Sequence, residues 1–442
     1  MITKLARIAE IAKEHPEEKF TSLAHLIDEV ALLACHAELN GQKAAGIDGV
    51  TKAEYEQNLI PSIRELLAKM KRQVYKPQPV RRTYIPKPGT NKQRPLGIPA
   101  YEDKLVQAAL TKILNAIYES DFLDSSFGFR PNRGCHDALK ALNFIIEKRK
   151  INYIVDADIK GFFDNVDHKW MMEFIAHRIA DTNIKRLISR FLKAGYMEDD
   201  TVYDTTEGTP QGGVISPILA NIYLHYVLDL WFEKVVRKQC RGDALMIRYA
   251  DDNVFCFQYE EEARAFYQAL INRLKKFNLE LAEDKTKIIA FGRNAEVECK
   301  RQGERKPDTF DFLGFTHYCS KSQKGWFRVK RKTSRKKYKA SLLRFKEWTR
   351  KNRNMPIKEL MDGVKSKIRG HIQYYSITDN AHKLYGFISE VQKMLFKWLN
   401  RRSQKRSFNW DKFNKFLKRH PLPQLKIHVN IYELRPEIGY IL

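Results

Sequence analysis

Two adjacent acidic residues, Asp251 and Asp252, interrupt a run that otherwise has the composition of a buried strand, RYADDNVFCF at 248–257. Carboxylates a few ångströms apart repel each other and lose hydration on burial, so the pair needs a cation between its members. A divalent metal ion meets that need. Alternatively, Ala-Asp-Asp-Asn is an ordinary polar hairpin tip, because Asp and Asn tolerate turn geometry.

A second apolar strand, YIVDADI at 153–159, carries Asp158 at its end. Phosphoryl transfer between nucleotides uses two Mg²⁺ ions, which hold the attacking 3′ oxygen and the leaving pyrophosphate in line. Mg²⁺ prefers hard carboxylate oxygens and keeps several waters, so one aspartate on one strand and two on another are sufficient. We therefore expect Asp158, Asp251 and Asp252 to be catalytic metal ligands.

Three neighbouring acids favour structural roles. We expect Asp156 to point to the other face of its strand, away from Asp158. Asp164 and Asp167 fall in the turn that follows, where helix capping is the commoner role of an aspartate.

The charge of the chain indicates a polyanionic partner. Its 442 residues carry a formal net charge of +26, and 43% are hydrophobic, enough for a substantial core. Each phosphate that Lys or Arg neutralises releases a counterion, which favours nucleic acid as the partner. Neither a lipidation motif nor an apolar run of membrane-spanning length is evident, so we expect no membrane.

Cysteines and histidines do not suggest a further metal site or a disulfide framework. The six cysteines contain no C-x-x-C pair, and the amino terminus lacks a secretory signal, so we expect a reduced, cytoplasmic protein. Several histidines lack a second ligand at metal-binding spacing. We expect capping or packing roles for His136, His168 and His371.

A basic segment, 321–351, contains fourteen Lys or Arg residues against one acid, Glu347. Apolar residues after it keep a spacing of three and four, which predicts helices. A run of charge is typical of a solvated face, but here aromatic side chains are interleaved with the cations, as base stacking and phosphate binding require. We expect nucleic-acid contacts from Lys332, Arg335 and Lys336.

The remaining pattern is of mixed type. FTSLAHLIDEVALLACHAEL, from residue 20, has helical spacing, with Thr21 or Ser22 as its expected cap. A proline-rich segment at 75–99, in which prolines alternate with basic residues, predicts edge strands joined by basic loops. From 151 onward strands and helices alternate, which indicates an α+β unit.

Several blocks, in this order, resemble the reverse transcriptases that bacterial group II introns encode, over roughly residues 44–400. They are GIDGVT, RRTYIPKPGTNKQRPLGIP, SSFGFRPNRGCHDAL, YIVDADIKGFFDNVDH, EGTPQGGVISPILANIYL, YADD, DFLGF and IRGHIQYYSI. YADD alone is weak, but the ordered series is specific.

The resemblance implies an α+β right-hand polymerase, with fingers, a palm built on an RRM-like antiparallel sheet with packed helices, and a helical thumb. The expected divisions are an N-terminal helical extension at 1–45, fingers with some palm elements at 46–150, palm at 151–320, thumb or maturase domain at 321–400, and a basic tail at 401–442.

Roles around the metal and the nucleotide follow from the same resemblance. The backbone carbonyl of Ile159 would lie near a metal ion. Phe163 would be a steric gate that collides with a 2′-hydroxyl group. Gln211 would lie over the incoming nucleotide, and Gly212 would let the backbone approach closely.

Three basic residues are expected at the triphosphate. Lys87 and Arg94 match the fingers positions that clamp it, Lys as a point charge and Arg as a fork. Lys285 is a candidate general acid for pyrophosphate departure, with a plain surface lysine as the alternative.

Contacts with the nucleic acid are implied for three more positions. Tyr249 would support the primer end, although a core aromatic residue fits the same pattern. Arg130 would bind template or order the fingers. Gly314 lies in DFLGF, the block similar to the primer-grip hairpin.

The predicted function is that of a Mg²⁺-dependent RNA-directed DNA polymerase, for which Mn²⁺ can substitute. Its partners would be a structured RNA template, in particular intron RNA, a DNA or RNA primer, and dNTPs, and it would assist splicing as a maturase. Two alternatives stay open: an RNA-binding splicing factor whose polymerase activity is dispensable, and a domesticated reverse transcriptase in phage defence or DNA repair.

Overall fold

The structure, a computed structural model, describes residues 2–86, 93–209, 211–301, 303–402 and 407–440. Its helices, numbered in chain order, are α1 (Ile2–Glu14), α2 (Glu29–Glu38), α3 (Lys52–Glu56), α4 (Leu59–Lys71), α5 (Tyr101–Tyr118), α6 (Cys135–Lys148), α7 (His168–Ala176), α8 (Thr182–Leu192), α9 (Ser216–Leu224), α10 (Arg237–Gln239), α11 (Glu260–Lys276), α12 (Ala295–Arg301), α13 (Arg335–Asn352), α14 (Ile357–Tyr375), α15 (Ala381–Leu399) and α16 (Trp410–Arg419). Its strands are β1 (Val80–Pro86), β2 (Gln93–Ile98), β3 (Tyr153–Asp158), β4 (Tyr196–Glu198), β5 (Thr201–Tyr203), β6 (Ala244–Tyr249), β7 (Asp252–Phe257), β8 (Lys287–Ala290), β9 (Phe310–Phe312), β10 (Phe315–Lys321) and β11 (Phe327–Thr333).

A four-stranded antiparallel sheet with the order β6-β7-β3-β8 lies at the centre. Because side chains alternate along a strand, its two faces enter different cores. Val155 and Phe255 pack into one core with helices α5, α9 and α11. Ile154 and Val254 pack into a second core with helix α6 and the later strands. The sheet is therefore covered on both faces over most of its length.

Two smaller sheets flank the centre. One has the order β2-β1-β4-β5, and in it β1 and β4 run parallel. The other has the order β11-β10-β9 and is antiparallel. The first sheet is tied to the loop before α9, because the N–H of Gly97 donates to the carbonyl of Gln211 at 2.6 Å.

The segment after β11 is helical, as its apolar spacing predicts. Val364 and Ile368 of α14 pack against Val391 and Leu395 of α15, and Phe413 of α16 joins the same core. Between α9 and α10 the helix contains two π-helical turns, at 225–229 and 232–236. Such turns put an extra residue into a helix and shift the side chains that follow.

The start of the second helix differs from the prediction. Its N-cap is Asp28, which accepts the N–H of Ala31 at 2.8 Å, and neither Thr21 nor Ser22 caps it. The carboxylate of the distant Asp181 accepts the N–H groups of Leu23 at 2.6 Å and Ala24 at 2.9 Å. Those tertiary bonds hold a short 3₁₀ turn ahead of the helix, so the helix begins later.

The mixed α+β class predicted from the sequence is confirmed. Among the residues that the structure describes, no helix is both long enough and apolar enough to pass through a membrane.

Candidate active site

Strands β6 and β7 are joined by the two-residue turn of Ala250 and Asp251. Ala250 has a φ of +57°, a left-handed conformation that hairpin turns of this length use. Gly128 lies directly against the turn, since a Cβ at that position would come within 2.2 Å of the Ala250 nitrogen. The acidic pair thus sits at a hairpin tip, as the alternative interpretation states, and the tip is fixed by tertiary packing.

The three predicted metal ligands share one end of the central sheet. Asp158 is directly opposite Asp252 in the antiparallel register of β3 and β7, so their side chains leave the same face. Asp251 immediately precedes Asp252. Lys285 donates from Nζ to Asp158 Oδ2 at 2.5 Å, and this bond raises the pKa of Lys285.

The electrostatics of this end of the sheet favour a cation. Partial removal from water raises the pKa of Asp252 to about 6, and repulsion from Asp251 and Asp158 adds to the effect. Burial also raises the pKa of Asp251, with a further contribution from Asp158. The positive charge of Arg94 opposes both shifts. Each carboxylate therefore makes its neighbours harder to ionise unless positive charge is supplied.

Asp156 belongs to the same cluster, so the prediction that it points away is wrong. Residues two apart on a strand lie on the same face, and Asp156 is two residues before Asp158. Burial, followed by repulsion from Asp252, Asp158 and Asp311, raises the pKa of Asp156 to about 7. Side chains alternate between the two faces of a strand, so counting back two residues from Asp158 is the sequence signal that places Asp156 on the same face.

The carboxylates have the right chemistry for Mg²⁺, because they are hard oxygen donors that repel one another. In the described part of the chain, no group of three or more His, Cys, Asp or Glu side chains stands in an arrangement that could hold a metal ion. In this arrangement the ammonium group of Lys285 neutralises Asp158. An ion at Asp158, Asp251 and Asp252 would take the place of that ammonium group.

A cavity of about 350 Å³ lies where the first flanking sheet meets the loops around Gly208. Phe163, Asp164 and Gln211 all line this cavity. The ring of Phe163 packs edge-on against Phe162 with 5.3 Å between the ring centroids. Two residues predicted at the nucleotide from separate parts of the sequence therefore face one space.

The other predicted nucleotide contacts have different outcomes. Arg94 is exposed on β2. Lys87 lies outside the described residues. Gly212 has a φ of +108°, and a Cβ there would come within 2.7 Å of the Gly97 carbonyl. The backbone approach that requires a glycine is therefore, in this chain, an approach to strand β2.

The burial of Arg130 contradicts the prediction that its side chain binds nucleic acid. Its side chain is 3% exposed and makes a 2.8 Å ion pair with Glu119. The same guanidinium donates to the carbonyls of Leu123 at 2.7 Å and Ser126 at 2.9 Å. Because its donors are used inside the protein, Arg130 orders the loop after α5.

The residues predicted to hold nucleic acid after β9 lie in and around one hairpin and the start of α13. Gly314 has a φ of +80° in the turn before β10, and Lys332, Arg335 and Lys336 are exposed. Lys337 was missed: its charge opposes the pKa rise of Asp252, and its Cγ lies 3.7 Å from the Cβ position of Gly314. Its charge acts on Asp252 from the first turn of α13, which composition does not reveal.

The predictions of structural roles mostly hold. Asp167 is the N-cap of α7 and accepts the N–H of Trp170 at 2.9 Å. His136 and His168 bond backbone carbonyls at 2.8 and 2.7 Å, and His371 stacks on Phe387. Tyr249 packs against the second core while facing Asp252 across the strands, which is compatible with both of its predicted roles.

Comparison with known proteins identifies the family. Residues 85–317 match the family described as reverse transcriptase (RNA-dependent DNA polymerase), and this match spans more than half of the chain. The chain belongs to the reverse transcriptase family. Residues 326–416 match the maturase-specific domain of group II introns, which agrees with the resemblance to group II intron proteins seen in the sequence.

Individual relatives agree with this assignment. The chain is 42% identical over 234 residues to the group II intron-encoded protein LtrA of Lactococcus lactis, a stretch that covers 51% of this chain and 38% of LtrA. It is 33% identical over 244 residues to protein YkfC of Escherichia coli, which covers 54% of this chain and 64% of YkfC. The putative COX1/OXI3 intron 2 protein of Saccharomyces cerevisiae is 30% identical over 234 residues, 52% of this chain and 27% of that protein. The matched stretch spans less than two thirds of each of these relatives.

Proposed function

We propose that this protein is a Mg²⁺-dependent RNA-directed DNA polymerase that extends a DNA or RNA primer on an RNA template with dNTPs. The observation that carries the proposal is the register of the central sheet. It brings Asp158 opposite Asp252, with Asp251 in the adjoining turn, at one end of one face. Paired strands with this set of carboxylates supply the ligands that two-metal phosphoryl transfer needs.

Asp158, Asp251 and Asp252, with the backbone carbonyl of Ile159, would hold two Mg²⁺ ions, and Mn²⁺ can replace them because it takes the same oxygen ligands. When bound, the ions supply Lewis-acid stabilisation of the charge that develops on the reacting phosphate. We assign Lys285 to the leaving pyrophosphate as its proton donor. Its ammonium group already lies at the carboxylate end of the site.

Nucleotide selection would involve the cavity between Phe163 and Gln211. The ring of Phe163 would exclude a 2′-hydroxyl group, while Arg94, and Lys87 from outside the described residues, would bind the triphosphate. The variant Phe163→Val tests this. We expect it to reduce the preference in kcat/KM for dCTP over CTP at least tenfold, and an unchanged ratio contradicts the assignment.

We propose the polymerase divisions expected from the sequence: an N-terminal extension at 1–45, fingers at 46–150, palm at 151–320, thumb at 321–400 and a tail at 401–442. Structured RNA would bind at the exposed Lys332 near the end of β11 and at Arg335 and Lys336 at the start of α13. A maturase role with intron RNA as the partner is supported by the domain match at 326–416.

Primer extension tests the central proposal. Purified protein is given oligo-dT annealed to poly-rA, dTTP and Mg²⁺, and the double variant Asp251→Asn, Asp252→Asn is compared with Asp284→Asn. Asp284 is an exposed acid one residue from Lys285, so it controls for loss of negative charge near the site. We expect no synthesis from the double variant and normal synthesis from the control. Absence of synthesis by the natural protein, or normal synthesis by the double variant, contradicts the proposal.

A second candidate function is favoured by the maturase-specific match: an RNA-binding splicing factor in which synthesis is dispensable. The same double variant distinguishes it. Splicing of a group II intron RNA that proceeds at the natural rate with the double variant assigns the splicing role to RNA binding alone. Sequencing the RNA that copurifies with the protein identifies its partner.

A further inference from the structure

A groove of about 890 Å³ lies apart from the aspartates, at the junction of four segments. Its walls come from the second half of α6, the tip of the β10–β11 hairpin, residues 378–379 after α14, and residues 431–434. None of the residues assigned above to catalysis or to the nucleotide lines it. Its size suits a nucleotide.

The groove has two exposed aromatic side chains, Trp326 and Tyr432. Trp326 is 73% exposed, which makes it the most exposed large hydrophobic side chain among the described residues. Tyr432, on the opposite segment, is 40% exposed, and the guanidinium of Arg328 lies 4.1 Å from its ring centroid. Exposed aromatic faces beside a cation are the surface on which bases stack.

Among the described residues, the charged side chains that line the groove without an ion-pair partner are lysines. Lys148, Lys324 and Lys330 line it, and in the described ranges no acidic side chain lies within ion-pair distance of them. The two lining acids are already used within the protein. Glu147 Oε1 accepts the N–H of Val329 at 2.9 Å, and Asp379 lies 4.0 Å from the guanidinium of Arg331.

One lining residue, Asn143, is bonded to a buried cation that does not itself line the groove. Arg331 is fully buried, and its Nε and Nη1 atoms have no hydrogen-bond partner in the described part of the chain. It donates from Nη2 to the side-chain carbonyl of Asn143, a 4% exposed residue that lines the groove. This bond orients the Asn143 amide and leaves its N–H groups as donors.

We propose that this groove binds an unpaired nucleotide of a single-stranded nucleic acid. The base stacks on Trp326 or Tyr432, and the flanking phosphates lie against Lys148, Lys324 and Lys330. An acidic peptide would use the lysines but leave the aromatic faces in water, so a nucleotide fits better. The proposal deepens the nucleic-acid binding in the proposed function by giving it a second site away from the reaction.

The test uses the full chain and short single-stranded octamers of RNA and DNA that carry one 5-iodouracil base. Irradiation joins such a base to a stacked aromatic ring, and the joined peptide is identified by mass spectrometry. We expect a crosslink at Trp326 or Tyr432. Trp326→Ala should weaken binding of the octamer about tenfold, and Trp326→Phe should restore most of it.

Matched controls separate this groove from general charge and aromatic surface. Trp410 is 51% exposed but stacks on Phe396 outside the groove, so Trp410→Ala should leave binding unchanged. Replacing Lys148, Lys324 and Lys330 by Gln should weaken binding more than the same change at three exposed lysines far along the chain. These control lysines are Lys13, Lys19 and Lys43.

The relative binding of the RNA and DNA octamers identifies the source of the nucleotide. Tighter binding of the RNA octamer identifies RNA as the source of the nucleotide, and tighter binding of the DNA octamer identifies a displaced DNA strand. Crosslinks confined to other residues, equal binding of a duplex, or displacement of the octamer by poly-glutamate at equal charge overturns the proposal. Primer extension by the natural protein is measured alongside, so that loss of the groove and loss of polymerase activity are separate results.

Discussion

Arg248 and Asp229 form a bidentate ion pair in which both side chains are completely buried. Nε and Nη2 of Arg248 donate to the two carboxylate oxygens at 2.7 and 2.5 Å. The remaining Nη1 donates to Asn221 Oδ1 at 3.0 Å and to the carbonyl of Ala250 at 3.1 Å. The pair therefore connects a π-helical turn to the hairpin tip that carries Asp251.

The first prediction concerns this pair. Asp229→Asn leaves a buried guanidinium without its counter-charge, so we expect the free energy of unfolding to fall by about 3–5 kcal/mol. Urea denaturation measures the change. The control is Glu233→Gln, which breaks a 2.6 Å pair with Arg237 four residues along the same helical segment, where both side chains are over a third exposed. We expect about 0.5 kcal/mol or less from the control. Equal losses in the two variants would be inconsistent with a special role for burial.

The second prediction concerns acid stability. His317 is fully buried on β10, opposite Arg331, and neither ring nitrogen has a hydrogen-bond partner in the described residues. Burial, and then the charge of Arg331, lowers the pKa of His317 to about 3. A lowered folded-state pKa means that the unfolded chain takes up the proton first, so stability is lost as the pH falls below about 6.5.

The variant His317→Phe removes this titration and keeps a ring to stack on Phe310. We expect it to stabilise the protein by about 2 kcal/mol more at pH 5 than at pH 8. Urea midpoints at the two pH values measure the difference. Phe315→Leu, at a buried position on the same strand, should change stability equally at both. An equal effect of His317→Phe on stability at pH 5 and pH 8 would contradict the assignment of the acid sensitivity to His317.

A third prediction separates two interpretations of Lys285. If it protonates the leaving pyrophosphate, Lys285→Gln should lower the single-turnover rate of nucleotide addition by a factor of about 10²–10⁴, and Lys285→Arg, which keeps the charge but is a poor acid, should not restore it. Lys160→Gln is the matched control, because Lys160 makes an exposed 3.0 Å ion pair with Glu280 nearby. A loss of less than threefold in Lys285→Gln supports a plain surface lysine.

The fourth prediction concerns the approach of the Gln211 loop to strand β2. In Gly212→Ala the new methyl group meets the Gly97 carbonyl, so we expect the loop to shift and kcat/KM for dNTP to fall about tenfold. In Gly370→Ala the methyl group meets nothing within 4 Å on the exposed face of α14. That variant should retain full activity and gain about 1 kcal/mol in stability. Similar kinetics in both variants would show that the close approach is not needed.

Features that depend on local pattern could be predicted from the sequence. The strands around Asp158 and Asp252, the helical segment after β11 and the α+β class follow from residue type and spacing, because side-chain periodicity is local. The motif blocks also predicted the family, which the comparisons confirm. The error at Asp156 was within reach of the sequence, since the period of two alone places it beside Asp158.

Features that depend on which side chains already have partners were decided by the tertiary structure. Arg130 and Arg94 look alike in the sequence, yet one is buried against Glu119 and the other is exposed near the aspartates. The charge of Lys337 acts on Asp252 from a helix far along the chain, and Trp326 remains without a covering residue. A charge serves a ligand only where the fold leaves it unpaired, and contacts between distant segments determine where that is.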